Sequence, residues 1–146
     1  MNRVTRDRIL QLIPHAGRMC LLDEVQDWGP DTLSAVSRRY QQADNPLRRG
    51  DATLGTASLI EIAAQAMALH GALTALTGDG PVPGYLVSLR DVHIVTSVLT
   101  DDIRPLQIEI RRHEGSEASA RYSFIVSTAT RSWLRGLAVV IFGDLP

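Results

Sequence analysis

The 146-residue sequence contains no lysine, because all fifteen of its cationic side chains are arginine. We attribute this to the base composition of the gene, although arginine remains a fixed cation that can bind carboxylate or phosphate in a bidentate manner. There is only one cysteine, Cys20, which excludes an internal disulfide and a multi-cysteine metal site. Because Cys20 lies in the apolar run MCLLDEV, we expect it to be a small core residue.

Long apolar runs and an excess of charge are missing as well. No stretch approaches the roughly 20 apolar residues that a membrane span needs, and MNRVTRDRILQLI is too charged for a signal peptide. The net charge of −1 gives no reason to expect nucleic acid as a partner. The sequence contains no nucleotide-binding loop and no metal-ligand cluster. We therefore expect a cytoplasmic protein with no cofactor, no metal and no membrane span.

Periodicity predicts a short helix, two strands, a long helix and four more strands. A stripe of Ile9, Leu10 and Ile13 after a possible cap at Thr5 predicts the first helix, which Pro14 ends. Two strands joined at Gly29-Pro30-Asp31 follow, and the long helix is predicted from about Thr56 to Thr77. The last four strands are predicted in YLVSLRDVHIV, PLQIEIRRH, ARYSFIVST and WLRGLAVVIF, with antiparallel hairpins between the second and third and between the third and fourth.

This order predicts an α+β fold in one domain, residues 1–146, with an antiparallel sheet of five to six strands wrapped around the long helix. The helix segment SLIEIAAQAMALHGAL is apolar nearly all round, which is typical of a helix buried on most sides. Covering its remaining side would need a second chain, so we expect a dimer. Within this segment, Glu61 is a carboxylate among apolar residues, which is costly unless something compensates.

The sequence resembles the FabZ-like hot-dog fold dehydratases in three segments. These are LIPHAGRMCLLDEV before a polar loop, IEIAAQAMALHGAL after that loop, and YLVSLRDVHI further along the chain. These enzymes remove water from 3-hydroxyacyl groups held on acyl carrier protein. NPLRR and AAQAMALHGAL are similar to a divergent branch associated with aryl-polyene biosynthesis. The resemblance extends from about Ile9 to Phe142 and implies the hot-dog fold and a dehydratase-like function.

The resemblance implies roles for the two polar residues of the long helix. Glu61 would protonate the departing 3-hydroxyl, because a carboxyl desolvated by apolar neighbours has a raised pKa and can act as an acid. Gln65 lies about 40° from Glu61 around the helix, so both can face one pocket and Gln65 would contact substrate. Gly55 and Thr56, at the helix N-terminus, would let the thioester approach backbone N–H groups that stabilise its oxygen.

The sequence departs from the family where a catalytic histidine is expected. The loop ADNPLRRGDATLGTA contains no histidine, and Asn45 or Asp44 stands at about that place. We expect Asn45 to contact substrate, whereas Asp44 would be only a weak base in a solvated loop. His70 follows Glu61 by nine residues, about 180° around the helix, and is expected to be a buried or interface residue. His93 has no clear face, and His113 is expected to be solvated at a hairpin turn. His15 is the best replacement as general base.

Arg48 and Arg49 follow Pro46 in the polar loop, and the resemblance implies that they dock the acidic carrier protein, with Arg18 close to them. Phosphopantetheine would arrive on that carrier. Three functions stay open: a dehydratase, a non-catalytic partner subunit of a heterodimeric dehydratase, and a hot-dog thioesterase that uses the helix carboxylate to activate water. The sequence does not choose between a homodimer and a heterodimer.

Overall fold

The computed structural model describes residues 2–13, 19–38, 58–75, 84–95, 105–116, 118–129 and 131–142. These residues form two helices and seven strands, in the following order along the chain: β1 (Val4–Thr5), α1 (Arg6–Leu12), β2 (Glu24–Trp28), β3 (Thr32–Ser37), α2 (Leu59–Thr74), β4 (Gly84–Ile94), β5 (Leu106–Gly115), β6 (Ser119–Ser127) and β7 (Ser132–Phe142). The predicted helices and strands are all present, and the two-residue β1 is an addition that the sequence pattern was too short to indicate.

Helix α1 forms where the apolar stripe predicts it. Its N-cap is Thr5, whose hydroxyl accepts a hydrogen bond from the Arg8 N–H. Ile9 and Leu12 are the buried residues of this helix, and Ile13 follows as the C-cap. The cap and the spacing therefore explain both the start and the orientation of α1.

All seven strands belong to one antiparallel sheet with the order β1-β2-β3-β5-β6-β7-β4. The hairpins β5–β6 and β6–β7 confirm the sequence prediction. Strand β4 precedes β5 in the chain but pairs with β7, so it forms an edge of the sheet. A bulge between Arg90 and His93 interrupts the β4–β7 pairing, and Asp91 there has a φ of 51°, which is uncommon outside glycine.

Helix α2 packs on the inner face of this sheet and contacts β3, β5, β6, β7 and β4. Its bounds, Leu59–Thr74, lie within the predicted range of about Thr56 to Thr77. Leu59, Ile62, Ala66 and Leu69 are fully buried, as the all-round apolar pattern indicates. The facing strands contribute alternate residues to the same core, such as Leu106, Ile108 and Ile110 of β5. Cys20 is buried in this core, as expected.

The sheet and helix together define the hot-dog arrangement, in which an antiparallel sheet encloses one long helix. The structure has one strand more than the upper end of the prediction, because β1 extends the edge beside β2. His113 lies within β5 and not in a turn, since that strand continues to Gly115, but it is exposed as expected.

Gly136 gives a test of how tightly the inner face is packed. A Cβ atom at this β7 position would lie 2.8 Å from Cζ of Phe124, its cross-strand partner, and 3.1 Å from Cγ2 of Val92. Phe124 is buried and cannot move aside. We predict that Gly136→Ala lowers the free energy of unfolding by about 1–3 kcal/mol through overpacking.

Urea denaturation of both proteins measures this difference. Gly29→Ala is the matched control, since its Cβ would meet only Thr32 Oγ1 at 4.0 Å and should change stability by less than about 0.5 kcal/mol. Equal effects of the two substitutions would contradict the packing described for the inner face.

Candidate functional site

Glu61 lies in the first turn of α2, on the side of the helix that is least covered. Ile60, Glu61 and Ala64 are half-buried, whereas Ile62, Ala63 and Gln65 are buried. Because residues 60, 61 and 64 share one face of a helix, this face is where a second molecule can reach α2. Glu61 is the carboxylate of that face.

Gln65 uses its side chain to join α2 to the segment that precedes β2. Its Nε2 donates to the Met19 carbonyl oxygen (2.6 Å) and to Glu61 Oε1 (3.2 Å), and its Oε1 accepts from the Leu21 N–H (2.9 Å). The side chain is fully buried. Gln65 and Glu61 are therefore adjacent, as their spacing predicts, and Gln65 orients the carboxylate. Contact of Gln65 with substrate stays a prediction.

Residues Met19–Leu22 are held from a second side by Arg6 of α1. Arg6 Nη1 donates to the carbonyl oxygens of Cys20 (2.9 Å) and Leu22 (2.8 Å). Cys20, Leu21 and Leu22 are buried outside any strand, so their backbone groups need partners other than a ladder. Sequence analysis missed Arg6 because nothing local distinguishes it from the other arginines of the N-terminal segment.

His70 is buried on the far side of α2, as its angular position predicts. Its Nε2 donates to the Gly29 carbonyl oxygen (2.8 Å), since a carbonyl can only accept, and its Nδ1 then accepts from the Tyr122 hydroxyl (2.8 Å) in the neutral ring. The rings meet edge to face at 5.6 Å. Both ring nitrogens are used, so His70 has a structural role.

Burial sets the protonation states of this pair. Desolvation lowers the pKa of His70 from its ordinary 6.5, and the nearby positive charge of Arg112 lowers it further, although the Gly29 hydrogen bond and Asp31 oppose this. Desolvation also raises the pKa of Tyr122 to about 12. The pair is neutral at physiological pH.

The two other described histidines lie on the outer face of the sheet. His93 is opposite Arg135 of β7 and is exposed, and His113 Nε2 lies 2.8 Å from Ser123 Oγ. The sheet separates both from Glu61. Among the histidines in the described ranges, none is placed to reach a substrate bound beside Glu61.

Several predicted site residues lie outside the described residues. These are the proposed base, the loop positions and the docking arginines: His15, Arg18, Asp44, Asn45, Arg48, Arg49, Gly55 and Thr56. Their roles stay predictions. In the part of the chain that the structure describes, no group of three or more potential metal-ligating side chains is present, and no helix is both long and apolar enough to cross a membrane.

Solved structures with the same fold are similar to this chain in shape but not in sequence. A chain of the dehydratase heterocomplex ApeI:P from Xenorhabdus doucetiae superposes with a TM-score of 0.82 at 18% identity, over 93% of this chain and 91% of that chain. AziG from S. sahachiroi gives 0.60 at 14% identity, over 85% and 92%. A thioesterase from Pseudomonas aeruginosa gives 0.62 at 8% identity, over 88% and 86%. These likenesses show that the protein has the hot-dog fold.

The family follows from a sequence comparison. The model of the ApeP-like family, described as ApeP dehydratase, matches residues 7–140. The chain therefore belongs to the ApeP-like dehydratases, a family of aryl-polyene biosynthesis, and this confirms the resemblance found in its sequence. No curated protein matches the sequence.

Gln65 offers a direct test of the hydrogen bonds that hold this site. We predict that Gln65→Met lowers the free energy of unfolding by about 1–3 kcal/mol, because the buried Leu21 N–H loses its acceptor, whereas water can reach the carbonyl of the partly exposed Met19. Urea denaturation measures the change. Gln11→Met, at an exposed position of α1, is the control and should have little effect. A Gln65 variant as stable as the control would refute the role assigned to the amide.

The lowered pKa of His70 predicts how the stability of the protein depends on pH. Because burial lowers its folded-state pKa, the unfolded chain binds more protons below pH 6.5. The stability that neutral His70 contributes is complete above pH 6.5 and is lost as pH falls from 6.5 toward the folded-state value. This loss is at most about 1.4 kcal/mol per pH unit.

Urea denaturation at pH 7.5 and pH 5.5 tests this prediction. The drop in unfolding free energy between the two pH values should be smaller for His70→Gln than for the wild type. The exposed His113→Gln should retain the wild-type drop. An unchanged drop in His70→Gln would show that the histidine titrates alike in both states.

Proposed function

We propose that this protein is a dehydratase subunit that acts on 3-hydroxyacyl thioesters carried by acyl carrier protein, in aryl-polyene or fatty-acid type biosynthesis. The observation that carries the proposal is the Glu61 carboxyl, which lies on the accessible face of α2 and is oriented by Gln65 at 3.2 Å. Membership of the ApeP-like dehydratases supports the reaction class.

The reaction needs an acid placed at the departing hydroxyl. A general base removes a proton from C2, the electrons form the C2–C3 double bond, and the C3–O bond breaks as protonated Glu61 gives its proton to the hydroxyl, which leaves as water. The negative charge that develops on the thioester oxygen would be stabilised by N–H groups at the N-terminus of α2, near Gly55 and Thr56. The proton on the base then returns to Glu61.

A histidine base comes from outside the described residues of this chain or from a second subunit. His70 is engaged by Gly29 and Tyr122, and His93 and His113 lie across the sheet. His15 is the candidate within this chain. Phosphopantetheine enters on the carrier protein, so the subunit needs no cofactor of its own, and we place the reaction in the cytoplasm with the carrier docked at Arg48 and Arg49.

A second hot-dog subunit is the partner that we propose at the β4 edge. Val87, Leu89, Ile94 and Val95 are apolar residues at this edge with exposed fractions of 38–58%. An apolar strand at the edge of a sheet is a template for pairing with another chain. The similar chain from Xenorhabdus doucetiae belongs to a heterocomplex, which favours a heterodimer over a homodimer.

We predict that Glu61→Gln abolishes dehydration, with a loss of at least about 100-fold, because the amide cannot donate the acid proton. The assay incubates the protein, alone and with the second hot-dog subunit of its pathway, with 3-hydroxyacyl carrier protein. The enoyl product is detected by mass spectrometry. Glu114→Gln, at an exposed position of β5, is the control and should retain full activity.

The outcomes separate the three functions. Enoyl product that depends on Glu61 supports the proposal, whether or not the second subunit is required. Product that requires this chain but not its Glu61 would assign it the non-catalytic partner role, which the distant histidines favour. Release of free acid would identify a thioesterase instead, and no product in either mixture would refute the proposal.

A further inference from the structure

The outer face of the sheet carries a ridge of apolar side chains far from the α2 site. Ile125 of β6 and Leu137 of β7 are 41% and 38% exposed, and Val139 lies beside Leu137 on the same face. These residues alternate with inward-facing core residues such as Phe124 and Ala138. The ridge, defined as Ile125, Leu137 and Val139, therefore has no packing role in the core.

Cationic side chains flank the ridge on both sides, as the strand register shows. On one side, Arg90 is opposite Leu137. On the other side, Arg121 is opposite Val139, and Arg111 is opposite Ser123, which itself pairs with Leu137. Ile125 is opposite the carboxylate Glu109 on β5 and opposite Arg135 on β7. Register partners project from the same face of a sheet, so the cations border the apolar ridge.

The surface between the cations is grooved. A groove of about 630 Å³ is lined on this face by Ser88, Arg90, His113, Arg121, Leu137 and Val139. A second groove of about 320 Å³ lies alongside it, with Arg111 and Ile125 in its lining. Glu109 and Glu114 are the carboxylates of these linings, and Glu114 lies 3.6 Å from Arg121. The two linings together contain three arginines, Arg90, Arg111 and Arg121, and those two carboxylates. Their net charge is therefore positive, although the whole chain has a charge of −1.

We infer that this face binds an amphipathic α-helix of another protein, with an apolar stripe bordered by aspartate or glutamate on both sides. Strand β6 and strand β4 are two strand spacings apart, about 10 Å, which matches the 10–12 Å diameter of a helix. The apolar stripe covers Leu137 and Val139, and the acidic borders meet Arg90 and Arg121. An open groove lined by exposed arginine favours a protein segment over a small ligand, because small ligands are bound in enclosed pockets.

This surface is independent of the thioester site. It lies on the face of the sheet opposite α2, and none of its residues takes part in the hydrogen bonds of Glu61 and Gln65 given above. Substitutions on it therefore test docking without touching the proposed catalytic residue.

Site-specific photo-crosslinking tests the inference in the full-length protein within the cells that make it. Leu137→p-benzoylphenylalanine places the photoreactive group on the ridge, and Gln11→p-benzoylphenylalanine, on exposed α1, is the background control. Mass spectrometry identifies the crosslinked peptide. We expect one protein partner, captured through a helix with an apolar stripe and acidic borders.

Charge reversal provides the decisive comparison. The double variant Arg90→Glu and Arg121→Glu should lower the crosslink yield at least about tenfold, which corresponds to about 1.4 kcal/mol. The matched double variant Arg3→Glu and Arg8→Glu, at the other end of the sheet, should leave the yield unchanged. Circular dichroism establishes that both variants are folded.

Four results would overturn the inference. These are a yield no higher than at Gln11, a crosslinked peptide without acidic borders, a crosslink to a lipid or to a second copy of this chain, and a yield that charge reversal leaves unchanged. Loss of the crosslink with retained dehydration activity would locate docking on this face and chemistry elsewhere.

Discussion

The fold depends on how a segment that has no strand partners, and is buried from Cys20 to Leu22, is hydrogen bonded. Residues Met19–Leu22 lie between α1 and α2, and the side chains of Arg6 and Gln65 together bind four of their backbone groups. Since a buried and unpaired backbone group costs about as much as a lost hydrogen bond, these two side chains replace the ladder that a strand would supply. The segment leads directly into β2, so the position of that strand follows from them.

The same constraint explains why Gln65 is an amide in an otherwise apolar helix. The Leu21 N–H requires an acceptor and the Met19 carbonyl requires a donor, and an amide supplies both without a net charge. The second Nε2 hydrogen then reaches Glu61. A carboxylate at position 65 would lack the donor, and a leucine would lack both. The polar pair in SLIEIAAQAMALHGAL thus consists of a backbone anchor and the carboxyl group to which it is hydrogen bonded, the group that we propose as the acid.

Local sequence signals predicted the elements and the hairpins β5–β6 and β6–β7, but not the full order of the sheet. The strict alternation of β5 and the all-round apolar pattern of α2 were sufficient to assign these elements and their buried faces. The order of the sheet was not predictable, because the pairing of β4 with β7 joins residues about 50 apart and has no local signal. The positive φ of Asp91 could not be predicted for a similar reason, because it belongs to the bulge in the pairing of β4 with β7.

The candidate site shows the same division between local and distant information. The 40° between Glu61 and Gln65 and the 180° between Glu61 and His70 follow from helix geometry alone, and the structure agrees with both. The partners of His70, Tyr122 and Gly29, are 52 and 41 residues away, and only the folded chain brings them to the ring. The role of Arg6 could not be predicted, because the carbonyl groups to which it donates hydrogen bonds are 14 and 16 residues further along the chain.

The arrangement has a consequence for how stability and chemistry are related in this protein. The buried polar groups beside α2 are an amide, a neutral imidazole and a phenol, so none of them places a charge in the core near Glu61. Glu61 itself is positioned through Gln65, and Gln65 cannot move without breaking the bonds to Met19 and Leu21. The Glu61 carboxyl is therefore hydrogen bonded to the same side chain that anchors the segment before β2. If Glu61 is the acid that we propose, this anchoring serves the chemistry, because small displacements of a reacting group lower the rate of proton transfer steeply.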